Sequence, residues 1–148
     1  MLLLTLFSVA AAVIQPRQLR GSDVALSPDG KHVAGVTGVG RLWSGGKTIR
    51  SWEASTGKPV WSATASGMTC VTYVADGTFV VTGSDDGMLR VWNAGQGTLQ
   101  RAWKGNSGAV RSVVAMPRGH SFVSAAEDGC VQMSDADTGR RLVRYATE

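Results

Sequence analysis

Short apolar runs recur along the chain, separated by clusters of turn-forming residues. The clearest unit lies between Gly77 and Asn93. Two runs rich in β-branched and apolar residues, Phe79–Thr82 and Met88–Trp92, flank Ser84-Asp85-Asp86-Gly87. An Asp-Gly pair between such runs predicts a β-hairpin, because Gly87 can take the positive φ of the turn and Asp86 can bond its own backbone. The same pattern predicts a first strand within Val24–Lys31, where Pro28 fixes φ and Gly30 closes the turn. Further strands are expected at His32–Val36, Thr48–Glu53, Pro59–Ala63, Met68–Val74, Leu99–Trp103, Val110–Ala115, Ser121–Ala125, Cys130–Ser134 and Leu142–Tyr145. Alternation of period two is only partial, as expected for strands covered on both faces.

The turn residues carry a period. Gly87 and Gly129 stand 42 residues apart, as do Gly77 and Gly119. The pairs Thr56-Gly57, Gln96-Gly97 and Thr138-Gly139 follow at spacings of 40 and 42. Three register marks agreeing on one period indicate a repeat architecture, with repeats at about 22–63, 64–104 and 105–148.

These marks carry a resemblance. Trp92-Asn93 is close to the Trp-Asp dipeptide of the WD-repeat family, and Val24-Ala-Leu-Ser-Pro-Asp-Gly-Lys31 is similar to that family's repeat opening. The resemblance implies an all-β chain: a partial WD-repeat β-propeller of about three four-stranded blades. It also implies a buried network joining an Asp in the second hairpin turn to a Trp on the next strand and a hydroxyl. In the middle repeat Asp86 and Trp92 match, with Thr82 or Ser84 supplying the hydroxyl. In the third repeat Asp128 is present but Ser134 replaces the Trp; in the first, Trp52 is kept and Gly46 replaces the Asp. The family's Gly-His pair is absent, with Gly105-Asn106 nearest to it.

Composition narrows the class. With 148 residues, 43% hydrophobic and 18% charged, the chain is that of a globular protein of roughly one domain. The net charge of +4 comes from scattered residues; only Arg140, Arg141 and Arg144 cluster, which fits a solvated blade edge and argues against a nucleic-acid partner. Residues 1–21 read as an apolar segment and linker. Met1–Ile14 is shorter than the ~20 apolar residues of a membrane span. Leu2–Val9 followed by Ala10-Ala11-Ala12 has the form of a signal peptide and leans toward export. The lack of a preceding Lys or Arg leaves a buried strand, and a cytoplasmic location, as the alternative.

Several chemistries are tested and set aside. Gly38–Thr48 lacks the spacing of a phosphate-binding loop, since Arg41 stands five before Gly46 where the loop needs Gly. His32 and His120 assemble no zinc site, so no cofactor and no metal are expected. Cys70 and Cys130 fall in different repeats and are expected as buried free thiols. The acidic pairs Asp85-Asp86 and Glu127-Asp128 suit turns. No nucleophile–base pair is recognised, so no enzyme activity is expected.

The leading expectation is a protein-interaction scaffold, binding other proteins or peptides. The alternative is a propeller that binds a small molecule or acts as a hydrolase through acidic turns around its channel. Three blades are too few for a closed ring of four to eight, so the chain is expected to be a fragment of a larger propeller or to assemble from copies. The first repeat is longer than the second, and the excess falls before Thr48. It carries Arg41, Leu42 and Trp43 between glycines, residues suited to partner binding; the competing expectation is that Trp43 folds back on Trp52 or Val36.

Overall fold

The computed structural model describes residues 21–38 and 47–146. Turn residues divide these into strands β1 (Gly21–Leu26), β2 (His32–Gly38), β3 (Lys47–Glu53), β4 (Pro59–Ala65), β5 (Met68–Tyr73), β6 (Phe79–Ser84), β7 (Met88–Asn93), β8 (Leu99–Lys104), β9 (Val110–Ala115), β10 (Ser121–Ala126), β11 (Cys130–Asp135) and β12 (Arg141–Ala146). Each successive set of four forms one antiparallel sheet in chain order. The protein is all-β, and its three sheets are propeller blades, here blades 1, 2 and 3.

The core lies between the sheets. Blade 1 contributes Ala34, Val36 and Ile49 to a layer completed by Met68, Val71, Tyr73, Val80 and Trp92 of blade 2. The other face of blade 2 presents Cys70, Val74, Val81, Leu89 and Val91 to Val110, Val113, Phe122 and Ala136 of blade 3. Val80 and Val81 are neighbours in β6, point to opposite faces and are both fully buried. That double covering is why the apolar pattern of β6 does not alternate. The outer strand β8 is exposed along most of its length. Both cysteines are free and buried, and burial pushes the Cys70 thiol upward in pKa.

Polar contacts tie neighbouring blades at the edges of these layers. Asp23 Oδ2 accepts the Val71 N–H at 2.9 Å, and Trp61 Nε1 donates to the Ala94 carbonyl at 2.7 Å. Thr69 Oγ1 donates to the Val110 carbonyl at 2.5 Å. The Trp61 ring lies so close to Gly97 that an added Cβ would sit 2.4 Å from it.

Blade 3 solves the loss of its tryptophan by exchanging sizes across a strand pair. In blade 2, Val80 pairs with Trp92; at the same register in blade 3, Phe122 pairs with Ser134. Phe122 is fully buried and packs near Trp103, with ring centroids 6.2 Å apart. The large side chain has moved to the partner strand, and the layer stays filled. Phe122→Ala should therefore destabilise by about 3–5 kcal/mol. Ser134→Trp alone should overpack and cost about 1–3 kcal/mol, while Phe122→Val combined with Ser134→Trp should cost less than the two changes summed. A double-mutant cycle in urea checks this, and strictly additive costs would exclude the exchange.

Candidate interaction rim

The turns fall on two opposite ends of the blades. On one end lie the turns after β6 and β10 and the loops that join the blades. Asp85 N–H donates to the Gly67 carbonyl, and Glu127 N–H to that of Ala109. The Gly87 carbonyl accepts the amides of Gly105 and Asn106, at 3.1 and 3.2 Å. The approach requires glycine: φ at Gly87 is 80°, and a Cβ would meet the Asn106 carbonyl oxygen at 2.1 Å. The loop 105–108 is held from its other side by Asp128, whose Oδ2 accepts Ser107 N–H at 2.8 Å and Ser107 Oγ at 2.9 Å. Its Oδ1 accepts Cys130 N–H at 3.0 Å. Burial would raise the pKa of Asp128, but the bonds from Cys130, Ser107 and Gly108 outweigh it and hold the carboxyl well below the usual range. Under the loop, Asn106 Oδ1 accepts Gln132 Nε2 at 3.0 Å and Ser124 Oγ at 3.4 Å. Arg111 forks onto Glu127 Oε1 at the surface.

The expected structural residues divide between separate contacts. Trp92 Nε1 donates to Thr82 Oγ1 at 3.0 Å, both side chains buried. Ser84 Oγ instead accepts Arg90 Nη1 at 2.6 Å. Asp86 is not joined to Trp92, which corrects the expected network. Its Oδ1 accepts the Met88 N–H at 3.0 Å within the turn, and its Oδ2 stands 3.9 Å from Arg90. Turn geometry aims that side chain outward, so the six-residue spacing to Trp92 places the pair on one hairpin without bringing them into contact. Asp128 serves the loop anchor, and Ser134 Oγ is buried without a partner. Arg41, Leu42 and Trp43 lie outside the described residues; the Gly38–Lys47 pair closes their connection on this same end.

The opposite end holds a feature that sequence reasoning missed. His120 of blade 3 joins Asp76 of blade 2 through Nε2 at 2.6 Å and Asp137 of its own blade through Nδ1 at 2.5 Å. Its ring meets Phe79 edge-on, with centroids 5.4 Å apart. The bonds to Asp76 and then to Asp137 raise the His120 pKa. Hydrogen bonds from Thr78, with smaller help from His120, bring Asp76 down to about 2. A recess of about 210 Å³ between blades 1 and 2 opens on this end, lined by Ser27, Pro28, Asp29, His32, Tyr73 and Asp76 among others. Asp29 is occupied by Ser27 Oγ and Lys31 N–H, which depress its pKa. Among the described residues no group of three or more His, Cys, Asp or Glu side chains is arranged to hold a metal ion, and no helix is long and apolar enough to cross a membrane.

Comparison with known proteins agrees with this architecture. The model of the PQQ_2 family, described as outer membrane protein assembly factor BamB, matches residues 12–148. The chain belongs to this family. The BamB-family chain is also 35% identical over 78 residues to Periodic tryptophan protein 2 of Arabidopsis thaliana, a distant WD-repeat relative. That match covers 53% of this chain and 9% of the plant protein, so the chain spans a small part of that relative's length. In three dimensions it resembles the crystal structure of the computationally designed Ika4 protein, with a TM-score of 0.70 and 24% identity. The likeness covers 88% of this chain and 75% of that one, and at this identity it speaks for the fold alone.

Two outcomes follow for the BamB-family chain. Thr82→Val strands the buried Trp92 indole N–H and should cost about 1–3 kcal/mol, whereas Asp86→Ala should shift the urea midpoint little; equal shifts would restore the joined network. For His120, a raised folded-state pKa means that the bridge contributes fully below the unfolded value of about 6.5 and is lost as pH rises through the folded value. Urea midpoints should fall across that window, and His120→Gln should flatten the decline.

Proposed function

We propose that this BamB-family chain is a non-enzymatic protein-interaction scaffold, whose binding surface is the rim formed by turns 84–87 and 126–129 and loop 105–108. One observation carries the proposal: loop 105–108 is hydrogen-bonded to Gly87 on one side and to Asp128 on the other. A rim tied in this way presents its exposed charges in fixed positions and loses little conformational entropy when a partner is bound. Three of the rim's four acidic residues already serve a turn or an ion pair, which supports binding over catalysis: Asp86 with Met88, Asp128 with Ser107, Glu127 with Arg111; the fourth, Asp85, is exposed. The family description names an outer membrane protein assembly factor, which fits a role among other proteins.

The connection bearing Arg41, Leu42 and Trp43 leaves the same end and adds two residue types common in binding hot spots. A photo-crosslinking residue placed at Asp85 or Glu127 should capture a partner protein in cells of the source, and one placed at Arg118 or Thr138 on the opposite end should not. Arg41→Ala and Trp43→Ala should each weaken that capture by about 2 kcal/mol while leaving the melting temperature unchanged. Capture from the opposite end alone, or none from the rim, would overturn the assignment.

A further inference from the structure

Blade 3 carries its cation on a different strand from blade 2. In blade 2, Arg90 pairs with Ala102 across β7 and β8; at the same register in blade 3, Gln132 pairs with Arg144. The surroundings of the two arginines differ. Arg90 Nη1 donates to Ser84 Oγ at 2.6 Å, and Arg90 Nη2 stands 3.9 Å from Asp86 Oδ2. Asp128 holds the place of Asp86 in blade 3, but its oxygens are taken up by Ser107 and by the Cys130 N–H. Arg144 donates to Cys130 Sγ instead. Among the described residues, neither Arg144 nor Arg141 meets a carboxylate.

A pocket of about 80 Å³ lies between these arginines and loop 105–108, lined by Asn106, Ser107, Asp128, Gln132, Arg141 and Arg144 among others. It is on the side of blade 3 that faces blade 2. Cys130, Gln132 and Ser134 are the buried positions of β11, and Ser134 pairs with Phe122, which packs against blade 2. Arg144 shares that side through its pairing with Gln132. Asn106 is 4% exposed, and its Nδ2 is buried without a partner among the described residues. Turning the amide over gives no relief. Gln132 Nε2 donates to the Gly105 carbonyl at 2.8 Å and to Asn106 Oδ1 at 3.0 Å, so a turned Asn106 would set two donor nitrogens against each other. A buried donor left without an acceptor is costly, and folded proteins supply one.

We propose that this pocket binds a carboxylate, an acidic side chain of the protein held at the rim. The inference rests on the reading of the rim as a protein-binding surface and names the chemistry of one group its partner must present. Guanidinium groups and the Asn106 Nδ2 offer N–H donors and no acceptor, so the occupant is an acceptor with negative charge. Its size is set by the pocket, which holds several times the ~10–15 Å³ that one water needs. Its charge is set by the walls. Arg141 and Arg144 against Asp128 leave one positive charge, which a carboxylate balances and a phosphate group, at about −1.5 to −2, exceeds. Loop 105–108 is shared by the pocket and the rim, so a partner resting on the rim has a side chain's reach to it.

Nuclear magnetic resonance of the isotope-labelled full chain at constant ionic strength tests this with sodium acetate as the probe. Acetate should shift the Asn106 side-chain amide and the backbone amides of 105–107 saturably. Acetamide, neutral and of the same shape, should leave them in place, and phosphate should bind more weakly than acetate. Arg144→Gln should weaken acetate binding at least ~10-fold, because a charge-assisted bond is lost. Asn106→Asp keeps the oxygen that Gln132 and Ser124 bond, replaces the free donor with an acceptor, and should abolish binding. Capture through a photo-crosslinker at Asp85 should fall at least ~10-fold in the Arg144→Gln chain. No saturable shift up to ~50 mM acetate, an equal response to acetamide, tighter binding of phosphate, or undiminished acetate affinity in Arg144→Gln would overturn the proposal. If Asn106→Asp loses its strand circular dichroism, Arg144→Gln decides by itself, since Arg144 is exposed on the outer strand. Acetate binding by a chain that captures nothing at the rim removes the scaffold and leaves the carboxylate pocket. Capture undiminished by Arg144→Gln removes the partner's carboxylate from the pocket and leaves the scaffold.

Discussion

Each described blade is a thin sheet that buries an apolar face against its neighbour, and that burial is what the fold depends on. In β6 the constraint is plainest: Val80 and Val81 are adjacent, opposed and fully buried, so blade 2 exists as a folded sheet because blades 1 and 3 stand on either side of it. The hydrogen bonds within a meander fix strand order, but they leave two unsatisfied surfaces per sheet. Stacking turns that liability into a continuous core, with stability set by each blade and its contact with the next.

Apolar stacking is non-directional and cannot by itself set how one blade sits on another. The polar contacts at the layer edges supply that register. Asp23 caps an amide of β5, Thr69 reaches the Val110 carbonyl, and Trp61 and Arg101 each end on a carbonyl in the next blade's last turn. His120 fastens blades 2 and 3 at the end opposite the proposed binding rim, between carboxylates drawn from both. Since charge on the imidazole strengthens this fastening, the junction loosens as pH rises through the raised pKa of His120. At the rim, Asp128 and the Gly87 carbonyl do the corresponding work for loop 105–108. Removing freedom from the loop is what makes the rim usable as a binding surface.

The exchange of Val80–Trp92 for Phe122–Ser134 shows how the repeat tolerates divergence. What the layer requires is volume at one cross-strand position, and either strand can provide it. A motif residue can therefore vanish while its packing role continues, and a polar residue such as Ser134 is left in its place, buried with an unpartnered hydroxyl. Likewise Asn106 takes the position beside Ser124 and Gln132 in a repeat that has no Gly-His pair.

The strand order, the turns and the repeat were legible in the chain itself, because they depend on local chemistry: Asp86-Gly87 allows one kind of turn, and glycines recurring at 42 residues allow one kind of repeat. The sequence left Thr82 or Ser84 as the hydroxyl for Trp92, and the structure gives Thr82. Asp86 could not be placed in the same way, for spacing along a hairpin does not say whether a turn side chain faces the core or the solvent. The His120 bridge was illegible for a deeper reason. Asp76 and Asp137 are 61 residues apart and meet only because two sheets stack, so no local pattern marks them. The sequence by itself determined which strands form and how they pair within a blade; the tertiary structure decided which faces are covered, and so which side chains meet between blades.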